Sequence, residues 1–240
     1  MPVLGGNGHG LRVRFGESAL TRAVSTLERD VEETILAHLH AGDVFYDVGA
    51  NIGWYSMLAA RAVGPSGGVL AFEPSVLNAA YVQQNAAVNH FANVTVICAA
   101  LTDRDGWVSF LDKGNMQSRL DKDDFDAQAE RRARKDQKVK GNRPVPATTL
   151  DSWLAQTGQP PPTLVKIDVE GGELGALRGM AQTLEQHGPT LVIELHNTAL
   201  VVADFLDTVG YRHAPIEVDV PTRHAPGQAH VLARPADRSD

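Results

Sequence analysis

Two glycines four positions apart, Gly49 and Gly53, constrain this chain more than any other feature. They close a short apolar run, Val44 to Val48, and open Trp54 to Ala62, a stretch rich in helix formers. Strand, tight turn and helix in that order begin an α/β unit of the kind that holds nucleotide-type ligands. Gly49 supplies a turn at positive φ, and Gly53 removes a side chain where a ligand or a strand must come close. The helix start then offers unpaired N–H groups to the ligand. Asp47 is an acid inside an otherwise apolar strand, so its burial calls for a partner, and a bound ammonium group is one.

The remaining pattern extends that unit into a sheet. Residues 1–27 show little periodicity and read as a flexible segment over the surface, with the folded domain spanning 28–240. Leu27, Val31, Ile35, Leu36 and Leu39 share one helical face before Ala41-Gly42-Asp43. Strands are expected at Val69 to Phe72, Val94 to Ala100, Trp107 to Leu111, Leu164 to Gly172 (ending in acids and glycines) and Thr190 to Leu195, with an extended stretch from Val145 to Leu150. Helices are expected after Ser75, which suits an N-cap, and over Ser152 to Thr157, Glu173 to His187 and Ala199 to Gly210. Val218 and His230 to Ala233 read as a terminal hairpin around Pro221 to Gly227. The fold class is therefore α/β, a mainly parallel sheet with helices on both faces and an antiparallel pair at the carboxyl end. A stretch at about 121–143 is crowded with both signs of charge and short of core residues, so it reads as a mobile insertion or lid.

Composition removes several function classes. The 240 residues carry 22 basic and 29 acidic side chains, a net charge of −7, which argues against a general nucleic-acid binder. No apolar run approaches a membrane span and the start of the chain lacks a secretory h-region, so no membrane partner is expected. Cys98 is the only cysteine; it allows no intrachain disulfide and reads as core. Asn93-Val94-Thr95 matches a glycosylation acceptor but enters an apolar strand, and a reducing cytoplasm is the expected compartment.

Chemistry in such a sheet gathers beyond the carboxyl ends of its strands. Glu73 closes the second strand, about 20 residues after the glycine turn, where an acid accepts hydrogen bonds from both ribose hydroxyls. Ala100 and Leu101 close the third, Asp168 the fourth, and Glu194 and His196 the fifth. A nicotinamide-dependent oxidoreductase would share the acid, but its fingerprint needs a third glycine, and Trp54 follows Gly53. S-adenosylmethionine suits the residues better, with an ammonium group for Asp47, a ribose for Glu73 and an adenine for the turn after the third strand. Asn51 reads as a turn residue whose amide fixes the loop. Trp54 and Tyr55 read as core, Lys166 as half of a structural ion pair, and Glu170 as a possible helix cap.

Asp47-Val48-Gly49-Ala50-Asn51-Ile52-Gly53, Ala71-Phe72-Glu73-Pro74, Thr149-Leu150-Asp151 and Lys166-Ile167-Asp168-Val169-Glu170-Gly171 stand in the order and spacing of FkbM-type methyltransferases, which residues 28–235 resemble. The resemblance implies a Rossmann-like class I fold with seven strands and methyl transfer from S-adenosylmethionine, usually to a hydroxyl oxygen. It also implies small-molecule or glycosyl acceptors, among them sugars and polyketide-type natural products. The charged insertion and the glycine-rich amino terminus depart from it. A non-catalytic cofactor-binding scaffold is the remaining rival, although a scaffold has no need to gather carboxylates. The expected cofactor set is Asp47, Gly49, Asn51, Gly53, Glu73, Ala100, Leu101 and Asp168. Methyl transfer to an alcohol needs a positioned nucleophile and a route for its proton, and Asp168, Glu194 and His196 are the catalytic candidates. The same three form a candidate divalent-metal site, for magnesium, calcium or manganese by their oxygens, and for zinc or iron by the histidine. The oligomeric state is left open, a homodimer being one possibility.

Overall fold

The computed structural model describes residues 3, 5–14, 28–111, 119–120 and 142–236. Helix α1 (Arg29–Ala37) precedes β1 (Val44–Val48), α2 (Trp54–Val63), β2 (Gly68–Phe72), α3 (Val76–Val88) and β3 (Val94–Ile97). Four further strands follow, β4 (Ala100–Leu101), β5 (Gly106–Leu111), β6 (Arg119–Leu120) and β7 (Asn142–Thr148). The chain then runs through α4 (Leu150–Thr157), β8 (Leu164–Ile167), α5 (Glu173–Arg178), α6 (Ala181–His187), β9 (Thr190–Glu194), α7 (Ala199–Thr208), β10 (Tyr211–Pro215) and β11 (His230–Pro235).

Seven of these strands form one sheet in the order β10-β11-β9-β8-β1-β2-β3. Its five strands from β9 to β3 are parallel, and β11 joins β9 and β10 antiparallel. The expected fold class is the observed one. From β1 the chain moves outward through β2 and β3, then returns to lay β8 on the other side of β1. The crevice beyond the ends of β1 and β8 is therefore the switch point where such sheets hold ligands.

Alternation along β1 shows why both faces are covered. Phe45 packs with Val31, Ile35, Met57 and Leu58 on the α1–α2 side, while Tyr46 and Val48 pack with Leu150, Leu177 and Met180 on the other. All of these side chains are buried, and each large aliphatic one contributes about 1.5–3 kcal/mol by leaving water. Among the described residues, no helix is long and apolar enough to cross a membrane.

Several expectations need correction. The amino-terminal stretch does not lie loosely over the surface where it is described: Val3, Leu11 and Val13 are buried in the α1–α2 core, and Asn85 and Asn89 bond the backbone of Arg14 and Arg12. Isolated apolar residues do this without periodicity, which is why the pattern is silent. Ala100 and Leu101 do not continue the third strand but begin a second, four-stranded sheet, β4-β7-β5-β6. The run Glu173 to His187 is two helices. A Cβ on Gly179 would lie 1.9 Å from the Thr102 carbonyl oxygen, so the backbones touch there. Asp151 of α4 caps the restarted helix, accepting the N–H groups of Gln182 (3.0 Å) and Thr183 (2.9 Å). The terminal hairpin uses Tyr211–Pro215, not Val218, as the partner of β11. Cys98 is exposed rather than core. Of the charged insertion only Asn142 and Arg143 fall among the described residues; they open β7, and 121–141 lie outside.

Candidate active site

The glycine turn is held from below. Gly49 and Ala50 both donate to the Phe72 carbonyl at the end of β2, at 2.9 and 3.0 Å. Gly49 has φ +82°, and a Cβ there would stand 1.8 Å from the Asp168 carbonyl oxygen at the end of β8. Its glycine is thus required by the neighbouring strand. Gly53 is required by α3, since its Cβ would meet Val82 at 2.9 Å; the close approach is Val82 rather than a ligand or a strand. Asn51, at φ 53°, turns its own N–H onto Glu73 Oε2 at 2.8 Å, and Ser75 donates its N–H to Oε1 at 2.8 Å.

Glu73 is 4% exposed, and burial pushes its carboxyl up to about 7 against the two backbone bonds that oppose the shift. The Asn78 side chain bonds this carboxylate as well, and the two oxygens, with about four acceptor positions between them, keep room for a ribose hydroxyl. Asp47 is 1% exposed, and its Oδ2 takes the Ser56 hydroxyl at 2.5 Å. Burial raises its pKa, with Lys166 working in the opposite direction. Lys166 thus supplies part of the positive charge that this buried acid calls for. Its Oδ1 is buried with no hydrogen-bond partner. Such an atom is costly unless a bound donor completes it, and this orphan beside the turn supports the fit of an amino-acid-bearing cofactor. Ala100 and Leu101 are buried in the cores of the two sheets. The turn beside Glu73 is instead Cys98-Ala99, with Cys98 Sγ 3.9 Å from the Pro74 carbonyl.

Across the switch point, β8 and β9 converge on one imidazole. His196 Nδ1 lies 2.9 Å from Glu173 Oε1, and Glu173 is fully buried. Glu173 also accepts the Gly171 N–H (2.7 Å) and the Thr198 hydroxyl (2.9 Å). His196 Nε2 then faces Glu194 Oε1 at 3.6 Å, Glu170 Oε2 at 3.7 Å and Asp168 Oδ1 at 3.9 Å. Burial works against a charged ring here, but the bond and charge of Glu173, with Asp168 and Glu194 behind it, push His196 up to about 9. Asp168 Oδ2 pairs with Lys166 Nζ at 2.9 Å; burial alone would raise this acid, and the ammonium outweighs it and holds the carboxyl below its usual range. Lys166, itself buried, lies 4.6 Å from the centre of the Tyr55 ring. Trp54 and Tyr55 are core, as expected, and Lys166 is the buried half of an ion pair whose acid, Asp168, is partly exposed.

The three expected metal ligands are brought together: one ligand atom from each of Asp168, Glu194 and His196 lies within 4.8 Å of the others. The donor set fits a divalent ion. A carboxylate fixes the far nitrogen of a metal-binding histidine in the usual outer-shell pattern, and Glu173 does this for His196. Glu173 was not singled out from the sequence. At the first position of α5 it reads as a helix former, and only its spacing after Glu170 and the glycine pair hints at more. Glu170 does not cap that helix; it sits at φ 53° with its carboxylate turned to His196, and burial raises its pKa.

Comparison with known proteins agrees with this architecture. The methyltransferase FkbM domain matches residues 47–213. The hexuronic acid methyltransferase AglP of Haloferax volcanii is 26% identical over 171 residues, covering 70% of this chain and 62% of that protein. Among solved structures, the methyltransferase FkbM from Methylobacillus flagellatus superposes with a TM-score of 0.54 at 17% identity, over 92% of this chain and 48% of that one. Precorrin-6y C5,15-methyltransferase from Geobacter metallireducens gives a TM-score of 0.55 at 14% identity, over 92% and 93% of the two chains. The chain thus spans 62% of the curated relative and about half of the FkbM structure. It belongs to the FkbM methyltransferase family.

Proposed function

We propose that the protein is a cytoplasmic S-adenosylmethionine-dependent methyltransferase that methylates a hydroxyl oxygen on a small-molecule or glycosyl acceptor. The observation that carries this reading is the pairing of two half-sites across one switch point: Glu73 with the glycine turn on one side, and the acids around His196 on the other. S-adenosylmethionine supplies an electrophilic methyl group on a sulfonium. Glu73 would take its ribose hydroxyls, and the turn from Gly49 to Gly53, with the open oxygen of Asp47, would face its remaining polar groups. The name of the Haloferax volcanii relative, a hexuronic acid methyltransferase, supports a sugar among the acceptors.

At the other half-site the chain must hold the hydroxyl in line and receive its proton. A histidine held near pKa 9 is already protonated at neutral pH, so His196 is poorly placed as the base. Asp168, Glu170 and Glu194 are the acceptors within reach of its Nε2. Asp168, Glu194 and His196 would hold a divalent ion in place of that ring proton, and such an ion would acidify the alcohol. The experiment is methyl transfer from labelled S-adenosylmethionine to a panel of hexoses, hexuronic acids and phenols, before and after EDTA. Loss of turnover that manganese or magnesium restores supports the metal. Full turnover after EDTA leaves the carboxylates to take the proton, and labelling on nitrogen or carbon, or no labelling at all, removes the O-methyltransferase reading.

Glu73 adds a pH dependence. Ribose hydroxyls donate to the ionised acid, and its pKa lies at about 7. Binding must remove the proton below that value, so affinity should fall by up to about tenfold per pH unit below 7 and level off above it. Calorimetry between about pH 5.5 and 8.5 in buffers of different ionisation enthalpy should show proton release on the acid side. A flat profile would separate Glu73 from the cofactor.

A further inference from the structure

The buried charge does not stop at His196. On β11, His230 stands directly opposite Glu194 in the β9 register and is 5% exposed. Its Nδ1 lies 2.5 Å from Glu217 Oε1, and its backbone N–H donates to Glu217 Oε2 at 3.0 Å. Glu217 therefore clamps both the ring and the backbone of this residue. The far nitrogen, Nε2, is aimed at Glu194 Oε2 at 3.5 Å and has no hydrogen-bond partner. The other oxygen of Glu194 faces His196 Nε2 at 3.6 Å. One carboxylate thus lies between two imidazoles, and each imidazole is anchored on its outer nitrogen by a glutamate, Glu173 or Glu217.

Packing does not explain the residue. Its neighbours along β11, Val231, Leu232 and Ala233, are apolar. An imidazole with an open nitrogen in that setting is unfavourable unless it faces a charge. Glu194 ends its strand, and its carboxylate is met from both neighbouring strands, by Asp168 at the end of β8 and by His230 on β11.

We propose that His230, clamped by Glu217, is a positioning residue that holds the Glu194 carboxylate turned toward His196. Its catalytic meaning rests on the reading of Asp168, Glu194 and His196 as the reacting end, but its test needs neither cofactor nor turnover. The test is histidine-selective 15N NMR of the full chain at one pH, with the ring signals of His196 assigned by substitution. His230→Gln should shift the His196 ring signals, and Glu217→Gln should shift them in the same direction. In a Glu194→Gln background, adding His230→Gln should leave His196 unchanged, because the connecting carboxylate has gone. His196 signals that stay fixed in both single variants while the melting temperature falls would make His230 purely structural and overturn the proposal. An equal shift in the Glu194→Gln background would overturn it too, by showing a route that bypasses Glu194. Should His230→Gln fail to fold, Glu217→Gln decides alone, since that side chain is 32% exposed at the outer end of the chain of contacts. Methyl transfer is measured separately, so loss of the enzymatic reading and loss of this inference are distinct results.

Discussion

Gly49→Ala is expected to lower the unfolding free energy by at least about 3 kcal/mol and the melting temperature by about 10 °C. Two costs combine. A side chain at φ +82° costs about 1–2 kcal/mol by itself. The added Cβ would also sit 1.8 Å from the Asp168 carbonyl oxygen, which is backbone and cannot swing aside. The ends of β1 and β8 would have to separate, and Asp168 would move with them. Gly158→Ala is the control. That residue has φ +64° with nothing within 4 Å of a Cβ, so it carries the conformational cost alone. Thermal unfolding of both variants should show Gly49→Ala much the worse. Equal losses would mean that the β1–β8 contact is softer than its geometry shows.

The second large effect is at Glu173. Replacing it with Ala leaves the buried His196 Nδ1 and the half-buried Thr198 hydroxyl and Gly171 N–H without their acceptor. A stranded buried donor costs about 1–3 kcal/mol, and loss of one partner of a buried charge pair about 3–5 kcal/mol in total, with the two half-buried donors adding less because water can reach them. Activity should fall by about 10- to 100-fold, as when an outer-shell carboxylate is lost behind a site histidine. Glu173→Gln keeps the shape and at least one acceptor, so it should recover much of the stability and little of the activity. If Glu173→Ala is as active as the parent protein, His196 is not oriented by this acid and the site is drawn incorrectly.

What the sequence reveals here divides along physical lines. The parallel core is legible because its strands are apolar runs bounded by turn residues, and their order forces a switch point between β1 and β8. Asp168, Glu194 and His196 can be read as one site because strand ends in such a sheet lie at one edge. Glu173 and His230 cannot, since each meets its partner only through the folded register: Glu173 through the turn at Gly171, His230 through its pairing with Glu194. The second sheet is hidden for a similar reason, β4 being only the two residues Ala100 and Leu101. Asp47 shows how a sound inference can stop one step short. A buried acid does need a partner, and part of that need is met inside the protein by Ser56 and Lys166.

Cofactor choice is measured most directly by calorimetric titration of S-adenosylmethionine, and of NAD in parallel, into the parent protein and Glu73→Ala at neutral pH. S-adenosylmethionine should bind the parent protein and NAD should not. Glu73→Ala should lose two charge-assisted bonds of about 1.5–3 kcal/mol each, an affinity drop on the order of 100-fold or more. Unchanged affinity in the variant would remove Glu73 from the cofactor site, and preference for NAD in the parent protein would contradict S-adenosylmethionine as the cofactor.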